Sequence, residues 1–383
     1  MATSADAYWL ALRRVRGVGA RVARMLLEKF GEAPRIFALG EEELVAAGVY
    51  RPTAKNIVQF AQFEELEKEL CELARLGGSL VRWSDDQYPV NLRQIPDPPP
   101  LLYLRGSLPA GESECVAIVG ARAASEAGLH MAHRLAMELA LKGIVVISGL
   151  ARGIDAEAHR GALEGNGRTI AVLGCGIDII YPHEHRNLAE SILAQGGALL
   201  SELPMGTAPV PENFPVRNRL IAGLSLGVVV VEAAEKSGSL ITARLALEQN
   251  RQVFAVPGSP LTGKTRGSNR LLKEGARPVD CVEDVIEDLA PQLAKVNRHQ
   301  RSVPGSPAAA APPQAAAPDY AVGRERQFQT VIDHLSSSER VHIDSIVESS
   351  GMNAQTVLGV LLELELNGVV LQHPGKLFSL AQI

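Results

Sequence analysis

The chain has little of what builds closed metal sites or membrane anchors. Its four cysteines, Cys71, Cys115, Cys175 and Cys281, stand singly among 383 residues. Without a short-spaced pair, neither a zinc site nor a disulfide framework is expected, and all four read as small core residues. No apolar run approaches the roughly 20 residues that cross a bilayer, so no membrane partner is expected. The start, Met1-Ala-Thr-Ser-Ala-Asp6, lacks the basic opening of a secretory signal, which points to the cytoplasm. Excess positive charge is missing too. A net charge of −5 and a pI near 6.0 exclude a bulk electrostatic coat for nucleic acid and leave room only for a local basic channel. No Gly-x-Ser-x-Gly elbow occurs. The close histidine pairs His130/His133 and His183/His185 have no cysteine or acid at metal spacing. Neither metal, cofactor nor enzymatic activity is expected.

What is present is a soluble-type composition, 46% hydrophobic and 21% charged, long enough for more than one domain. Cys115-Val-Ala-Ile-Val119 is a short β-branched apolar run that breaks at Gly120-Ala-Arg-Ala-Ala-Ser125 before the helical periodicity of Glu126 to Leu141. Ile144 to Ser148 repeats the pattern, followed by Gly149-Leu-Ala-Arg-Gly-Ile-Asp155 and a helix to Glu164. Further apolar runs at Thr169–Leu173, Ala198–Ser201, Gly227–Val231 and Gln252–Val256 bring the expectation to about six parallel strands with right-handed crossovers. The class is therefore α/β. In such sheets ligands sit beyond the carboxyl ends of the strands, where helix N-termini favour anions, so a phosphate is the default ligand.

Flanking this core (115–282) is an extension, 77–114, whose dense apolar residues imply two short extended pieces packed on the main domain, which runs 77–290. Residues 1–76 read as helical. There Arg16-Gly-Val-Gly-Ala20 between two amphipathic runs resembles a helix-hairpin-helix turn ringed by Arg13, Arg14, Arg16, Arg21 and Arg24, or else a glycine turn with a solvated basic face. Residues 291–319 are an alanine- and proline-rich linker. Segment 320–383 orders helix, helix, helix, hairpin, in the manner of a winged helix. Its third helix carries Glu363 and Glu365 without lysine or arginine, and Asp319 to Ile383 holds 4 basic against 8 acidic residues. Phosphate repulsion argues for a protein-contact or regulatory module.

Two features invite an enzymatic reading. Asp155, Glu202 and Glu232 lie near strand ends, where a general base or a helix cap would sit. Gly258-Ser-Pro-Leu-Thr-Gly263-Lys264-Thr265 satisfies the phosphate-loop pattern and would suggest an ATPase or another nucleotide-processing enzyme. Gly267 is expected to interrupt the helix that such a loop requires, and the strand Val228 to Glu232 ends in glutamate where a magnesium-binding aspartate belongs.

The assembled turns decide. Val119-Gly-Ala-Arg122-Ala-Ala-Ser125, Ser148-Gly-Leu-Ala-Arg152-Gly-Ile-Asp155, Phe214-Pro-Val-Arg217-Asn218-Arg219, Gly238-Ser-Leu-Ile-Thr242 and Gly267-Ser-Asn269-Arg270 resemble, in order and spacing from about Ser79 to Asp280, the DNA-processing protein A family, also called Smf. The resemblance implies a Rossmann-like domain that binds single-stranded DNA, dimerises and loads the RecA recombinase during natural transformation, without catalysis. It implies Arg122 as the phosphate-gripping residue and Phe214 as the ring on which a base stacks. Arg152, Arg217, Asn218, Arg219, Asn269 and Arg270 would furnish the rim, with Gly120, Ser125, Ser148, Gly149, Gly153, Lys236 and Ser239 in the contacting turns. Many members have a lysine three residues before the aromatic. This chain has Pro211 there, followed by Glu212, so that phosphate contact is either missing or replaced by Lys236, Lys264 or Arg266. With 17 basic to 15 acidic residues from Cys115 to Val282, binding has to come from arrangement rather than bulk charge.

Overall fold

A computed structural model describes residues 3–109, 114–302, 330–335, 340–352, 354–366, 370–373 and 377–380. The chain divides into two units, Met1–Pro304 and Gly305–Ile383.

The first unit is built on a nine-stranded sheet. In chain order its strands are β1 (Gly78–Arg82), β2 (Leu101–Gly106), β3 (Cys115–Val119), β4 (Val145–Ser148), β5 (Thr169–Val172), β6 (Ala198–Ser201), β7 (Gly227–Val230), β8 (Gln252–Ala255) and β9 (Arg277–Pro278). Their order in space is β1-β2-β6-β5-β4-β3-β7-β8-β9. From β6 to β9 neighbouring strands are parallel, while β1 and β2 join as an antiparallel edge, Tyr103 opposite Ser201. The apolar runs of β3 to β7 are buried throughout because helices cover both faces.

On one face lie α8 (Glu126–Leu141), α9 (Ile154–Glu164) and α14 (Val282–Ser302), which bury Leu135, Leu139, Ala158 and Val285 against Val116, Ile118 and Val146. On the other lie α11 (Asn213–Leu224), α12 (Gly238–Glu248) and α13 (Arg266–Lys273), with Leu220, Ile221 and Ala243 against Ala117, Val119 and Val228. From β3 the chain works outward through β4 and β5 to β6, then returns through α11 to β7 on the opposite side of β3. That reversal makes β3 the switch point of the sheet, where a crevice opens beyond the strand ends.

Six helices precede the sheet: α1 (Ala5–Arg14), α2 (Ala20–Phe30), α3 (Ala33–Phe37), α4 (Glu41–Ala46), α5 (Arg51–Val58) and α6 (Phe63–Arg75). Trp9, Leu12, Leu26, Ile57 and Leu73 belong to the same buried cluster as Leu101, Tyr103 and Leu199 of the sheet. The Tyr103 hydroxyl donates to Glu69 of α6 at 2.7 Å. Two cysteines depart from the expected core role: Cys71 is exposed, on the solvent side of α6, and Cys281 is partly exposed in the bend that leads into α14. Among the described residues no helix is long and apolar enough to cross a membrane.

The second unit has helices Ile343–Ser350 and Ala354–Leu366 and a three-stranded sheet in which Leu377–Leu380 lies between Val341–His342 and Val370–His373. This is the expected winged-helix order. The expected linker beyond Ser302, most of the first tail helix and the Pro374-Gly375 turn lie outside the described residues.

α9 is fastened to the sheet by a buried histidine. His159 Nδ1 shares a 2.7 Å hydrogen bond with Thr169 Oγ1, and the threonine hydroxyl donates to Val146 O at 2.7 Å. Burial, with His185 and Arg217 nearby, pushes the imidazole down to about 3. The unfolded chain therefore takes up a proton below about pH 6.5 that the folded chain refuses. Stability from this group is complete above that pH and is lost toward pH 3. Urea titrations should show stability falling by up to about 1.4 kcal/mol per pH unit from His159 between roughly pH 6 and 4, and His159→Gln should remove that increment.

Candidate ligand-binding cleft

A cleft of about 520 Å³ opens at the switch point, lined by the turns that follow β3, β4, β5 and β7 and by the first turns of α11. The turns are interlocked. Ala121 N donates to Glu232 O at 2.7 Å and Ile154 N donates to Ala121 O at 3.2 Å, which ties β7 to β3 and β3 to α9. Gly153 has φ +73°, and a side chain there would run into the carbonyl oxygens of Ala121 and Arg122, so only glycine admits this approach.

Each of the three strand-end carboxylates is engaged in support. Glu232 accepts from Ser125 N at 3.1 Å and Ser125 Oγ at 2.5 Å, while that hydroxyl also accepts from Gly128 N and caps α8. Asp155 accepts from Gly149 N at 3.2 Å and Ala151 N at 3.4 Å. Glu202 pairs with Arg219. These acids serve as strand-end hydrogen-bond and ion-pair partners rather than as helix caps, their oxygens holding neighbouring turns together.

Arg217 and Arg219 need correction as rim residues. Arg217 is 6% exposed. Its Nη1 donates to Gly149 O at 2.9 Å and to Val172 O, so one guanidinium gathers the ends of β4 and β5. Burial pushes Arg217 down to about 10, opposed first by the charge of Asp155; burial likewise pushes Asp155 up, opposed first by Arg217. Each is the other's compensation. Arg219 is held by Glu202 and Asp97 and donates to Asp97 O at 2.8 Å. Arg217 shares the cleft-lining face of α11 with Phe214 but reaches down to the strand-end carbonyls, whereas Arg219, two positions on and about 200° round the helix, reaches Glu202 and the extension.

Other expected residues also act as supports. Asn218 is buried and reaches Gly238 O at 3.5 Å. Ser148 Oγ donates to Ile118 O at 2.6 Å. Asn269 brackets Gly258, accepting from its N at 3.1 Å and donating to its O at 2.8 Å. Arg152 and Arg270 are exposed and paired with Glu184 and Glu274. Lys236 is exposed beside the cleft-lining Ser237, whose hydroxyl meets that of Ser239 at 2.7 Å.

Arg122 and Phe214 do come together. Phe214, in the first turn of α11 and half-buried, lies beneath the Arg122 guanidinium at 5.3 Å from the ring centroid. Tyr181, 44% exposed, also packs against Phe214, its ring centroid 5.7 Å away and tilted by 33°. Among the described residues no carboxylate oxygen pairs with Arg122. The sequence reading missed Tyr181, whose only signal was an aromatic residue in the loop after β5. Cys175, close by, is a buried thiol: burial pushes it up to about 11, and its Sγ donates to Ile179 O at 3.1 Å.

The phosphate-loop match does not form a phosphate cradle. Contrary to expectation, Gly267 does not interrupt α13; it sits inside that helix, close under the carbonyl oxygens of Ala233 and Ala234. The loop instead fills itself, with Thr265 Oγ1 donating to Ser259 O at 2.6 Å and Asn269 clasping Gly258.

The family model for DNA recombination-mediator protein A matches residues 79–290, and that for the DprA winged helix domain matches residues 307–376. Protein Smf of Synechocystis is 36% identical over 401 residues, covering 99% of this chain and all of that protein. DNA processing protein DprA of Streptococcus pneumoniae is 44% identical over 204 residues, 53% of this chain and 72% of that one. The X-ray structure of the Streptococcus pneumoniae protein superposes with a TM-score of 0.64 at 35% identity, covering 73% of this chain and 95% of that chain. DNA processing protein A from Helicobacter pylori, described for its single-stranded DNA binding mode, gives 0.50 at 32% identity, covering 56% and 96%.

Arg217→Ala should strand Asp155 as a buried charge and cost about 3 to 5 kcal/mol. In a double-mutant cycle Asp155→Asn should recover part of that loss. Equal melting of Arg217→Ala and wild type would remove the supporting role.

Proposed function

The chain belongs to the DNA recombination-mediator protein A family, and on that premise we propose that it is a non-catalytic DNA-processing protein that binds single-stranded DNA in the cleft. In this reading it acts in natural transformation as a homodimer that protects the incoming strand and loads the RecA recombinase onto it. One observation carries the reading: an unpaired guanidinium stacked on an aromatic pair at the mouth of the cleft. Single-strand binding needs a cation for the backbone and a ring for the base, and Arg122, Phe214 and Tyr181 supply both within one nucleotide's reach. The single-strand binding ascribed to the Helicobacter pylori relative supports the same use.

Pro211 stands where the family often has a lysine. Lys236 is exposed beside the turn lining the cleft and takes the second phosphate, with Lys264 and Arg266 continuing the basic edge past β8. The strand-end acids and the self-filled loop favour binding over chemistry. The winged-helix unit, acidic in sequence, serves protein contact or regulation.

Arg122→Ala should weaken oligonucleotide binding of every sequence alike, by about 1.5 to 3 kcal/mol, since a charge-assisted contact is lost. It should also flatten the log–log salt dependence by about 0.7 for each phosphate released. Phe214→Ala should cost about 1 to 3 kcal/mol with the salt slope unchanged. Fluorescence anisotropy at several salt concentrations separates the two, with melting curves as a fold control. Loss of stability in Phe214→Ala without loss of affinity would make the ring a packing residue only. Deleting Tyr320 to Ile383 should leave single-strand affinity within about tenfold, or 1.4 kcal/mol; a greater loss would place the second unit on the DNA.

A further inference from the structure

We propose that the helices of 1–76 carry a second nucleic-acid contact that takes the phosphate backbone of duplex DNA. The first helix-hairpin-helix pattern has a companion that the sequence reading passed over. Gly17-Val18 leads into α2, with Ala23, Arg24 and Leu26 along it; Gly48-Val49 leads into α5, with Ala54, Lys55 and Ile57 at the same spacings. Both glycines hold left-handed backbone, φ +94° and +100°, which other residues adopt at a cost. The paired valines, the paired alanines and the pair Leu26 and Ile57 are all buried.

The two copies also pack reciprocally. Met25 of the first lies 3.7 Å from the side-chain position of Gly48, while Asn56, its counterpart in the second, donates to Arg16 O at 2.9 Å in the first turn. Thr53, the counterpart of Val22, fills the space against Gly17. Mutual contacts of this kind are those of an approximate twofold pair, as in an isologous interface. Duplex DNA has the same local symmetry between its strands, so paired turns meet one phosphate run on each strand.

The chemistry of the surface agrees. Arg16, Arg21 and Lys55 are exposed, and none has a carboxylate partner among the described residues, whereas Arg24 and Arg51 are paired with Glu28 and with Glu41 and Glu42. Tyr50 follows the second turn and is 76% exposed. An amphipathic ring beside basic groups suits a groove edge, where side chains lie against sugars and base steps. None of these residues lines the cleft at the switch point.

The test compares the full chain with the triple variant Arg16→Ala, Arg21→Ala, Lys55→Ala on three probes: a blunt duplex, oligothymidine, and a duplex with a single-stranded tail. Duplex affinity should fall about tenfold or more, and its log–log salt slope should flatten by about 0.9 per phosphate lost, while oligothymidine affinity changes less than about twofold. Arg122→Ala should show the opposite pattern, so a failed cleft assignment and a failed duplex assignment read out separately. The tailed duplex should bind the wild type more tightly than either simple probe. If the triple variant melts early, Tyr50→Ala alone should still weaken duplex binding selectively. Unchanged duplex affinity, no duplex binding by the wild type at low salt, or equal losses on duplex and oligothymidine would each overturn the proposal.

Discussion

The buried guanidinium of Arg217 is the constraint on which the cleft depends. It bonds the carbonyls of Gly149 and Val172 at the ends of two adjacent strands, and it offsets the charge of Asp155, whose oxygens hold the amides of the same turn. A neutral side chain there would leave the two carbonyls without this donor and the buried Asp155 carboxylate without the cation that offsets it. The turn after β4 would then relax, and with it the close approach of Gly153 to the β3 turn that sets where Arg122 can reach.

A division of labour among the arginines follows from this. Those on the inner sides of helices, Arg217 and Arg219, are anchored by carbonyls and acids and shape the walls. Arg122 sits in a turn on the outer rim with only a ring beneath it. A cation stacked on a neutral aromatic keeps its charge available to an anion, whereas one held by a carboxylate must give up a partner first. In this way a chain of net charge −5 keeps some exposed cations free of carboxylate partners among the described residues. Support charges are neutralised in place, and a few unpaired ones, Arg122 and Lys236 here and Arg16, Arg21 and Lys55 on the helical segment, remain at the surface.

The sequence by itself determined the layered fold. Short β-branched runs alternating with amphipathic helices have few solutions other than a parallel sheet covered on both faces, and the glycines at the turns marked where backbones must approach. Strand order brought the turns after the first two core strands together, and the family resemblance named Arg122 and Phe214, which lie against one another in the cleft. Tertiary structure decided which polar residues are left free of protein partners at the cleft. In α11, Phe214 and Arg217 both line the cleft, yet Arg217 spends its donors on the strand-end carbonyls, and Arg219, on the opposite side of the helix, is held by Glu202 and Asp97. Tyr181 joined the site only through the path of the loop after β5. The phosphate-loop match failed for a similar reason: Thr265 and Asn269 fold back into their own loop. The second hairpin escaped notice because its likeness to the first lies in backbone conformation and burial, which side-chain identity at Gly48 to Ile57 records only faintly.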